Sequence, residues 1–533
     1  MNENIPTQTN KWLSPIAIGL YFAVFKLLLH FTFNSNYGYF RDELYFLACG
    51  EHLAWGYPDH SPMVALMAKT SRVLLGDSLF AIRFFPALAG AFKVFLTAVL
   101  VREFGGKAFA AFLACLCVLC APIYLAIDNL LSMNSLEPVF WMLCVYFAVR
   151  AVQNPPENSS TEIQNPKSKI PNSSINWLFF GLFAGLGLMN KHSLVFFGFA
   201  LVAGLLLTQT RKVFLDKYFW LGGVIAFLIF LPNIIWQVQN DFATLELLQN
   251  VQKTGKNIVM SPLQFIVSQI LGMNPLAFPV WLAGICFFLF NKNGKRFRFL
   301  GIAYLVTLAL MIYLKAKDYY LAPVYPMLFA GGAVLLEHLL EKIRVLRFVK
   351  YAFPALLIAL TILIIPTVVP ILPIETLINY QEKIGFRPPR SETAQTSPLQ
   401  QIFGDQLIWQ EMLEKTAEVY NSLSEQERAK AGIFASNYGE AGAIDFFGAK
   451  YGLPKAISPH QSYFVWGPRE YTGEILILLG SKKEDAEKNC ESVEERTEVN
   501  HPYSDNYEKY KILICRKTKK PLAEIWHSLK HWN

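Results

Sequence analysis

The residues of this chain that could do chemistry are concentrated between positions 34 and 79, in a polar segment that follows the first apolar run. Asp42 and Glu43 stand side by side there, directly after Arg41. A carboxylate can take the proton of a reacting hydroxyl as a general base, or it can hold a cation. Two adjacent acids also suit the first turn of a helix, where they complement the helix dipole. The residues alone leave both interpretations open.

Asp59 and His60 form a second candidate pair in the same segment. An acid beside an imidazole could bind a metal ion or a phosphate group, so these two residues are the candidate metal ligands. A solvated turn before a helix is the alternative interpretation.

Other polar side chains lie at the ends of later apolar runs. Arg83 opens the second run and Lys191 lies between the fifth and the sixth. Each could bind phosphate or could extend to the lipid head groups. Asn134 and Glu137 enter the fourth run, where a carboxylate is costly unless it faces a cavity. We therefore expect Glu137 to have a function.

The elements that must position these residues are membrane helices. Of the 533 residues, 53% are apolar and 17% are charged, which is typical of a polytopic membrane protein. Eleven runs are long enough, or nearly so, to cross a bilayer core of about 30 Å. The first has no small-residue cleavage site and is interpreted as a retained helix. The predicted spans are 12–33, 80–101, 108–127, 132–150, 176–190, 193–209, 218–238, 262–290, 299–314, 320–340 and 350–373.

The short loops between these spans alternate between basic and less basic. By the positive-inside rule the basic loops face the cytoplasm. The N-terminus is then inside, while the 34–79 loop and the tail after residue 374 are outside. The basic loops contain Arg102 and Lys107; Arg150, Lys167 and Lys169; Arg211, Lys212 and Lys217; Lys292, Lys295, Arg296 and Arg298; and Lys342, Arg344, Arg347 and Lys350.

Lys315 and Lys317 oppose this charge distribution, because they lie at the outer end of the ninth span. An anionic ligand at the outer surface would explain them. Asp318, Tyr319 and Tyr320 follow directly. Together with the outer acids and His60, these residues would surround one cavity suited to the transfer of a group from an anionic lipid.

Two interfacial helices are predicted in the 34–79 loop. Ser61 and Pro62 are a typical helix start, and apolar residues then recur at helical spacing as a stripe that would lie on the membrane surface. A shorter helix is predicted to begin near Asp42, with an apolar face toward lipid formed by Leu44, Leu47 and Ala48.

The polar segments are predicted to lie outside the membrane. Residues 153–175, rich in Asn, Pro and Ser, are predicted to form a cytoplasmic linker. After a transmembrane domain over 1–373, residues 374–533 are predicted to form a small extracytoplasmic α/β domain, with helices at 408–421 and 441–451 and strands at 432–436, 474–479 and 510–515. Cys490 and Cys515 could form a disulfide if this tail is outside the cytoplasm. The six other cysteines are expected to act as small apolar side chains.

Several motifs, in their order along the chain, resemble glycosyltransferase family 39, which includes protein O-mannosyltransferases and the bacterial lipid A aminoarabinose transferase. The resemblance covers about residues 12–375 and rests on Arg41-Asp42-Glu43, His60-Ser61-Pro62-Met63, Arg83-Phe84-Phe85-Pro86, Met133-Asn134-Ser135-Leu136-Glu137-Pro138 and Lys317-Asp318-Tyr319-Tyr320-Leu321-Ala322-Pro323. Two further motifs are similar to one bacterial branch: Pro232-Asn233-Ile234-Ile235-Trp236-Gln237 and Asn437-Tyr438-Gly439-Glu440-Ala441.

The resemblance implies a polytopic α-helical membrane glycosyltransferase of the GT-C type, at the cell's inner (cytoplasmic) membrane. It would move a sugar from a polyprenyl-phosphate-linked donor to a hydroxyl of a lipid, glycan or protein acceptor, with inversion at the anomeric carbon and without nucleic acid as a partner. No cofactor is certain, and a divalent metal is left open. The family's catalytic acid maps to Asp42, with Glu43 and Glu137 as further catalytic candidates.

The remaining site residues follow from the same resemblance. The basic residues expected to hold the donor phosphate are Arg83, Lys191, Lys315 and Lys317. The residues expected to bind substrate are Tyr57, Asp59, His60, Asn134, Tyr319 and Tyr320. Relatives often have an aspartate in the second outer loop, where this chain has Asn134 followed one helical turn later by Glu137. The role of the second carboxylate and any metal site are therefore open.

Two other classes of protein compete with this hypothesis. A transporter or flippase for an anionic polyprenyl lipid or glycolipid would show internal repeats and helices broken near the middle of the bilayer. No clear repeat is evident here, and the polar residues cluster at the outer boundary instead. A sensor with a ligand-binding tail would not require eleven spans as an anchor.

Overall fold

Helices form nearly all of the chain up to residue 368. The computed structural model describes residues 11–153, 172–390 and 392–533, so the predicted linker at 153–175 lies outside the described residues apart from its two ends. The helices of this first part are α1 (Pro15–Phe33), α2 (Arg41–Glu51), α3 (Met63–Leu75), α4 (Leu79–Ile82), α5 (Phe84–Glu103), α6 (Ala108–Leu119), α7 (Pro122–Ile127), α8 (Met133–Gln153), α9 (Asn172–Asn190), α10 (Leu194–Leu206), α11 (Lys217–Gln239), α12 (Ala243–Thr254), α13 (Pro262–Gly272), α14 (Phe278–Leu289), α15 (Arg298–Tyr313), α16 (Tyr325–Lys342) and α17 (Val349–Val368). Short 3-10 helices lie at Lys11–Leu13, Gln209–Leu215, Pro275–Ala277, Lys295–Phe297, Asp318–Val324 and Arg344–Phe348.

Each predicted span coincides with a helix or with two consecutive helices. Within the described residues, 7 helices are long and apolar enough to cross a membrane, and 2 bent helix pairs raise this to 9. The helices at Ala108–Leu119 and Ser174–Asn190 are apolar but shorter. The chain is thus a multi-pass helical protein, while the count of eleven spans and their orientation stay predictions.

Sequence signals explain where several of these helices begin. The Ser14 hydroxyl accepts a hydrogen bond from the backbone N–H of Ala17 at 3.2 Å, and Pro15 occupies the first turn of α1. Ser261 caps α13 in the same way and forms a capping box with Gln264.

Glycines let two pairs of the long helices cross closely. A side chain at Gly181 or Gly222 would collide with backbone atoms of the other helix where α9 crosses α11. A side chain at Gly284 or Gly332 would likewise collide with backbone atoms of the other helix where α14 crosses α16. Small residues at such crossings are typical of packed membrane helices.

A buried cluster of charges joins α1 and α5 to the connection between α7 and α8. Asp128 accepts from Lys93 Nζ at 2.8 and 2.9 Å, and Lys26 Nζ lies 3.0 Å from its second oxygen. All three side chains are fully buried. Charges in such a place are tolerated only when they are paired, so this cluster holds the helices together.

The prediction that the apolar face of α2 meets lipid is wrong. Leu44, Leu47 and Ala48 are buried beneath the C-terminal part of the chain, where they share a core with Ala441 and Ile444. The helical spacing of these apolar residues predicts that this face of α2 is removed from water. It does not show whether lipid or protein covers the face.

The second predicted helix of this loop, α3, does expose an apolar stripe that includes Leu66, Val73 and Leu74. Such a stripe is typical of a helix that lies on a membrane surface. Its start differs from the prediction, because α3 begins at Met63 with Pro62 as its cap residue. The Ser61 hydroxyl instead donates to the Leu188 carbonyl at 2.9 Å, which ties the loop to α9.

From residue 374 onward the chain forms short helices and one five-stranded sheet. The strands are β1 (Ala431–Ala435), β2 (Ala456–Ile457), β3 (Ile475–Leu479), β4 (Cys490–Val499) and β5 (Tyr510–Thr518), in the order β2-β1-β3-β5-β4. β1 is parallel to β2 and β3, whereas β5 is antiparallel to β3 and β4. The helices are α18 (Ile374–Lys383), α19 (Gln401–Gly404), α20 (Trp409–Asn421), α21 (Glu425–Arg428), α22 (Tyr438–Phe447), α23 (Gln461–Trp466), α24 (Lys483–Asn489) and α25 (Leu522–Ile525), with 3-10 helices at Gly448–Tyr451, Asn506–Glu508 and Trp526–Leu529.

Cys490 and Cys515 form a disulfide in this sheet, with their Cα atoms 5.7 Å apart. The bond links the start of β4 to β5. Sequence analysis left this pairing open, and the structure supplies it. The six other cysteines are free, and five of them are buried as expected for small apolar side chains.

Candidate active site

Two aspartates of the first loop lie near each other beneath the C-terminal sheet. Asp42 is in the first turn of α2 and stays partly exposed, and its Oδ1 accepts a hydrogen bond from the Tyr438 hydroxyl at 2.8 Å. Asp59 accepts one from the Tyr45 hydroxyl at 2.7 Å. Burial raises the pKa of Asp59, and the nearby charge of Asp42 adds to this effect. Both carboxylates are partly exposed, as a residue that must meet a substrate has to be.

The imidazole of His60 packs beside Asp59 and is almost fully buried. Its Nδ1 donates to the Ser61 carbonyl at 2.8 Å, and Nε2 lies 4.0 Å from Asp59 Oδ1. Tyr57 stacks on the ring at 4.4 Å. The structure thus brings together three of the predicted substrate-binding residues.

These two residues do not by themselves make a metal site. Among the described residues, no group of three or more His, Cys, Asp or Glu side chains could hold a metal ion. A divalent cation normally needs more protein ligands than Asp59 and His60 can supply. We therefore derive no step through a metal.

A second group of predicted residues is centred on Lys191. Its Nζ donates to Asn134 Oδ1 at 2.8 Å and to Glu137 Oε2 at 2.7 Å, and it lies 4.2 Å from the centre of the Tyr320 ring. The Ser193 hydroxyl donates to the other oxygen of Glu137. The carboxylate that enters α8 is therefore paired and fixes the position of a cation at the helix end.

Tyr319 connects the two groups. Its phenol interacts electrostatically with both Asp42 and Glu137, and its ring meets that of Tyr320 edge-on at 4.9 Å. Lys191 Nζ also lies 5.5 Å from the Tyr319 ring centre. Residues from four separate parts of the sequence thus lie close together.

Three further cations act on the carboxylate of Glu392. Lys317 Nζ lies 3.3 Å from Glu392 Oε1. Burial opposes ionisation of Glu392, but Lys256, Lys317 and Arg41 outweigh it and lower the pKa of that carboxyl. This part of the site is therefore built to hold an anion. Lys315 is exposed.

Glu43 and Arg83 occupy a different place from the one predicted. Both are fully buried and paired, with Arg83 Nε 2.8 Å and Nη2 2.7 Å from the two carboxylate oxygens of Glu43. Arg83 also donates to the carbonyls of Asn34 and Gly38, and Glu43 accepts from the Leu131 N–H. These bonds occupy both side chains. This geometry favours the tying of α2 to α5, rather than catalysis by Glu43 or phosphate binding by Arg83.

Sequence analysis did not assign several residues of this site. Lys256 lies in a loop after α12, and Glu392 lies in the segment that leads to the sheet, so neither stands in a recognised motif. Tyr438 was noted only within the Asn437–Ala441 motif. Tyr45 was part of the first-loop sequence, but its bond to Asp59 was not foreseen. The motif around Tyr438 was the one signal that could have directed attention to the C-terminal part.

Comparison with known proteins gives one family match and several similar folds. The family model for "Dolichyl-phosphate-mannose-protein mannosyltransferase" matches residues 59–161 and 168–236. Among solved structures, ArnT from Cupriavidus metallidurans bound to undecaprenyl phosphate is similar with a TM-score of 0.59 at 11% identity, over 93% of this chain and 97% of that chain. An oligosaccharyltransferase from Archaeoglobus fulgidus, tethered with an acceptor peptide, has a TM-score of 0.51 at 12% identity, over 84% of this chain and 64% of that chain. No curated protein matches the sequence.

The resemblance to glycosyltransferase family 39 is confirmed. The match spans Asp59, His60, Asn134, Glu137 and Lys191, and it begins after Asp42. The likeness in fold extends over 93% of the chain. The protein is a multi-pass membrane protein with an ArnT-like GT-C fold, and the matched family model supports glycosyltransferase activity.

Proposed function

We propose that this protein transfers a sugar from a polyprenyl-phosphate-linked donor to an acceptor hydroxyl at the outer face of the cytoplasmic membrane. The observation that carries the proposal is the position of Asp42. It is a partly exposed carboxylate held by a phenol, and Lys256, a cation that could take a phosphate, interacts with it electrostatically.

The chemistry needs a base and fixed positive charge. A sugar joined to phosphate already has a good leaving group, so the acceptor oxygen can attack the anomeric carbon as the bond to the phosphate oxygen breaks. Asp42 takes the proton of the acceptor hydroxyl, and the leaving phosphate keeps the electron pair. Attack opposite the leaving group inverts the anomeric carbon. Fixed cations stabilise the charge that grows on the phosphate.

Lys191, Lys256 and Lys317 are the cations that we assign to the phosphate. Lys191 is fixed by Glu137 and Asn134, so its charge needs little reorganisation. Lys317 and Lys256 already hold the carboxylate of Glu392, which a donor phosphate would replace.

The relatives support a lipid donor. ArnT binds undecaprenyl phosphate, and the description of the matched family names dolichyl-phosphate-mannose. The oligosaccharyltransferase was tethered to an acceptor peptide. These names favour a phosphate-linked donor and leave a lipid, glycan or protein as the acceptor.

Release of labelled sugar tests the proposal. Purified protein in lipid discs would be offered a panel of polyprenyl-phosphate sugars with candidate acceptors, beside the Asp42→Asn variant as the inactive control. We expect labelled product with at least one donor. Movement of intact donor across a vesicle membrane without any sugar release would favour a flippase instead.

The phosphate assignment gives a prediction for single lysines. Lys191→Gln and Lys317→Gln should each weaken donor binding and slow single-turnover transfer, by about 1–3 kcal/mol together, because one charge-assisted hydrogen bond is lost. Lys315→Gln is the matched comparison, since Lys315 is exposed in the same loop. Equal donor affinity in all three variants would remove this assignment.

Domain arrangement and orientation give another prediction. We propose a transmembrane domain over 1–373 and an extracytoplasmic domain over 374–533, and the disulfide between Cys490 and Cys515 supports this placement. In a variant without the six free cysteines, a cysteine at Glu484 should react with an impermeant reagent on intact spheroplasts. A cysteine at Asn293 should react only after lysis. The opposite pattern would reverse the orientation.

A further inference from the structure

The C-terminal part of the chain reaches both aspartates of the site. Tyr438, at the start of α22, donates to Asp42. Ser462, at the start of α23, lies 2.6 Å from the hydroxyl of Tyr45, which in turn donates to Asp59. Two helix starts of one soluble region thus contact, directly or through one phenol, the two acids that the first loop presents.

Several contacts fix the position of Tyr438. Its ring packs between Tyr45 at 4.6 Å and His460 at 4.7 Å. Asn437 caps α22 by accepting from the N–H groups of Gly439 at 2.8 Å and Glu440 at 3.0 Å. The phenol therefore approaches Asp42 from a fixed direction.

Gly439 lets this helix start come close to α2. A Cβ at this position would collide with the side chain of Arg41, the neighbour of Asp42. Gly442, one turn later, meets the backbone of Leu44 in the same way. The closeness of α22 and α2 thus depends on two positions without side chains.

The phenol of Tyr438 is suited to be a hydrogen-bond donor. Burial raises its pKa well above the ordinary value, and the negative charge of Asp42 adds to this effect. The hydroxyl therefore keeps its proton. A donor of this kind leaves the second oxygen of Asp42 available to an acceptor hydroxyl.

We propose that Tyr438 is a positioning residue for sugar transfer, which orients the carboxylate of Asp42 and stabilises its ionised form. The soluble C-terminal region is then part of the catalytic centre and not only a cover above it. This inference rests on the function proposed above, with Asp42 as the base. Tyr438 itself takes no proton from the substrate.

Other charged or titratable groups also act on Asp42, and the test must allow for them. They are Arg41 on α2, Asp59 in the turn after α2, Lys256 in the loop after α12, Tyr319 in the 3-10 helix before α16 and Asp405 after α19. Replacement of Tyr438 by Phe changes none of them and keeps the ring that packs on Tyr45 and His460.

The test is the pH profile of Tyr438→Phe. We expect kcat to fall about 10- to 100-fold, the range for one lost hydrogen bond to a charged group. The acidic limb of kcat/KM should also move to higher pH, because the ionised carboxylate loses a donor. Donor affinity should stay within about twofold of the parent, since no phosphate contact changes.

Three comparisons make the result decisive. Tyr451→Phe removes a phenolic hydroxyl at the margin of the same core. It should leave both kcat and the acidic limb of the kcat/KM profile unchanged. Ser462→Ala should lower the rate less than Tyr438→Phe, because it acts on Asp59 through Tyr45. A Tyr438→Phe protein with the parent rate and the parent acidic limb would overturn the inference, while an inactive Asp42→Asn in the same assay would leave the proposed function standing.

Discussion

Asp42→Asn should lose sugar transfer by about 10²-fold or more while it still folds and binds the donor. The amide keeps the shape of the side chain and can still accept from Tyr438, but it cannot take the proton of the acceptor hydroxyl. Single-turnover transfer with a saturating donor measures the chemical step, and donor binding is measured separately on the same preparation.

Two acid variants serve as controls for this result. Asp59→Asn removes the neighbouring carboxylate, which is bonded to Tyr45 and lies beside the buried His60, and should cost less. Glu137→Gln should act mainly through the position of Lys191 and therefore on donor binding. Transfer by Asp42→Asn at the parent rate would mean that the base lies elsewhere, and Glu137 would then be examined next.

The second large effect concerns stability and not catalysis. Arg83→Gln should destabilise the protein by about 3–5 kcal/mol, because it leaves the carboxylate of Glu43 buried without its partner. The loss should appear as a lower midpoint of thermal unfolding in detergent. Donor affinity per folded molecule should be unchanged, because the Arg83 side chain is fully buried.

Arg72→Gln is the matched control for this variant. Arg72 also pairs with carboxylates, Glu51 and Asp77, but at a partly exposed place. Exposed pairs are worth about 0–1 kcal/mol, so its unfolding midpoint should move little. An Arg83→Gln protein with normal stability and weak donor binding would restore the interpretation of Arg83 as a phosphate ligand.

The sequence determined the multi-pass helical architecture and directed attention to the first loop. Apolar runs report the burial of whole segments, and helices lie at every predicted span. The first loop was singled out because polar residues that could do chemistry are rare in such a chain. Strands β1, β3 and β5 were also predicted, since each is a short apolar run between turn residues.

The sequence did not reveal β4. Its residues Cys490–Val499 carry many charges and show an exposed pattern at the sheet edge. The strand is specified by its pairing with β5, by the disulfide, and by charge pairs such as Arg516 with Glu494. None of these long-range partners can be read from the local pattern of the segment.

Only the tertiary structure decided which charged residues face the substrate and which hold the protein together. Asp42 and Glu43 are neighbours in sequence, yet a helix turns adjacent side chains about 100° apart. Asp42 therefore meets Tyr438, while Glu43 points inward to Arg83, 40 residues away along the chain. The final partners of Asp42 come from a region almost 400 residues later, and they are placed by the packing of α22 on α2. Such contacts depend on distances through space, which hydropathy and motif spacing do not encode.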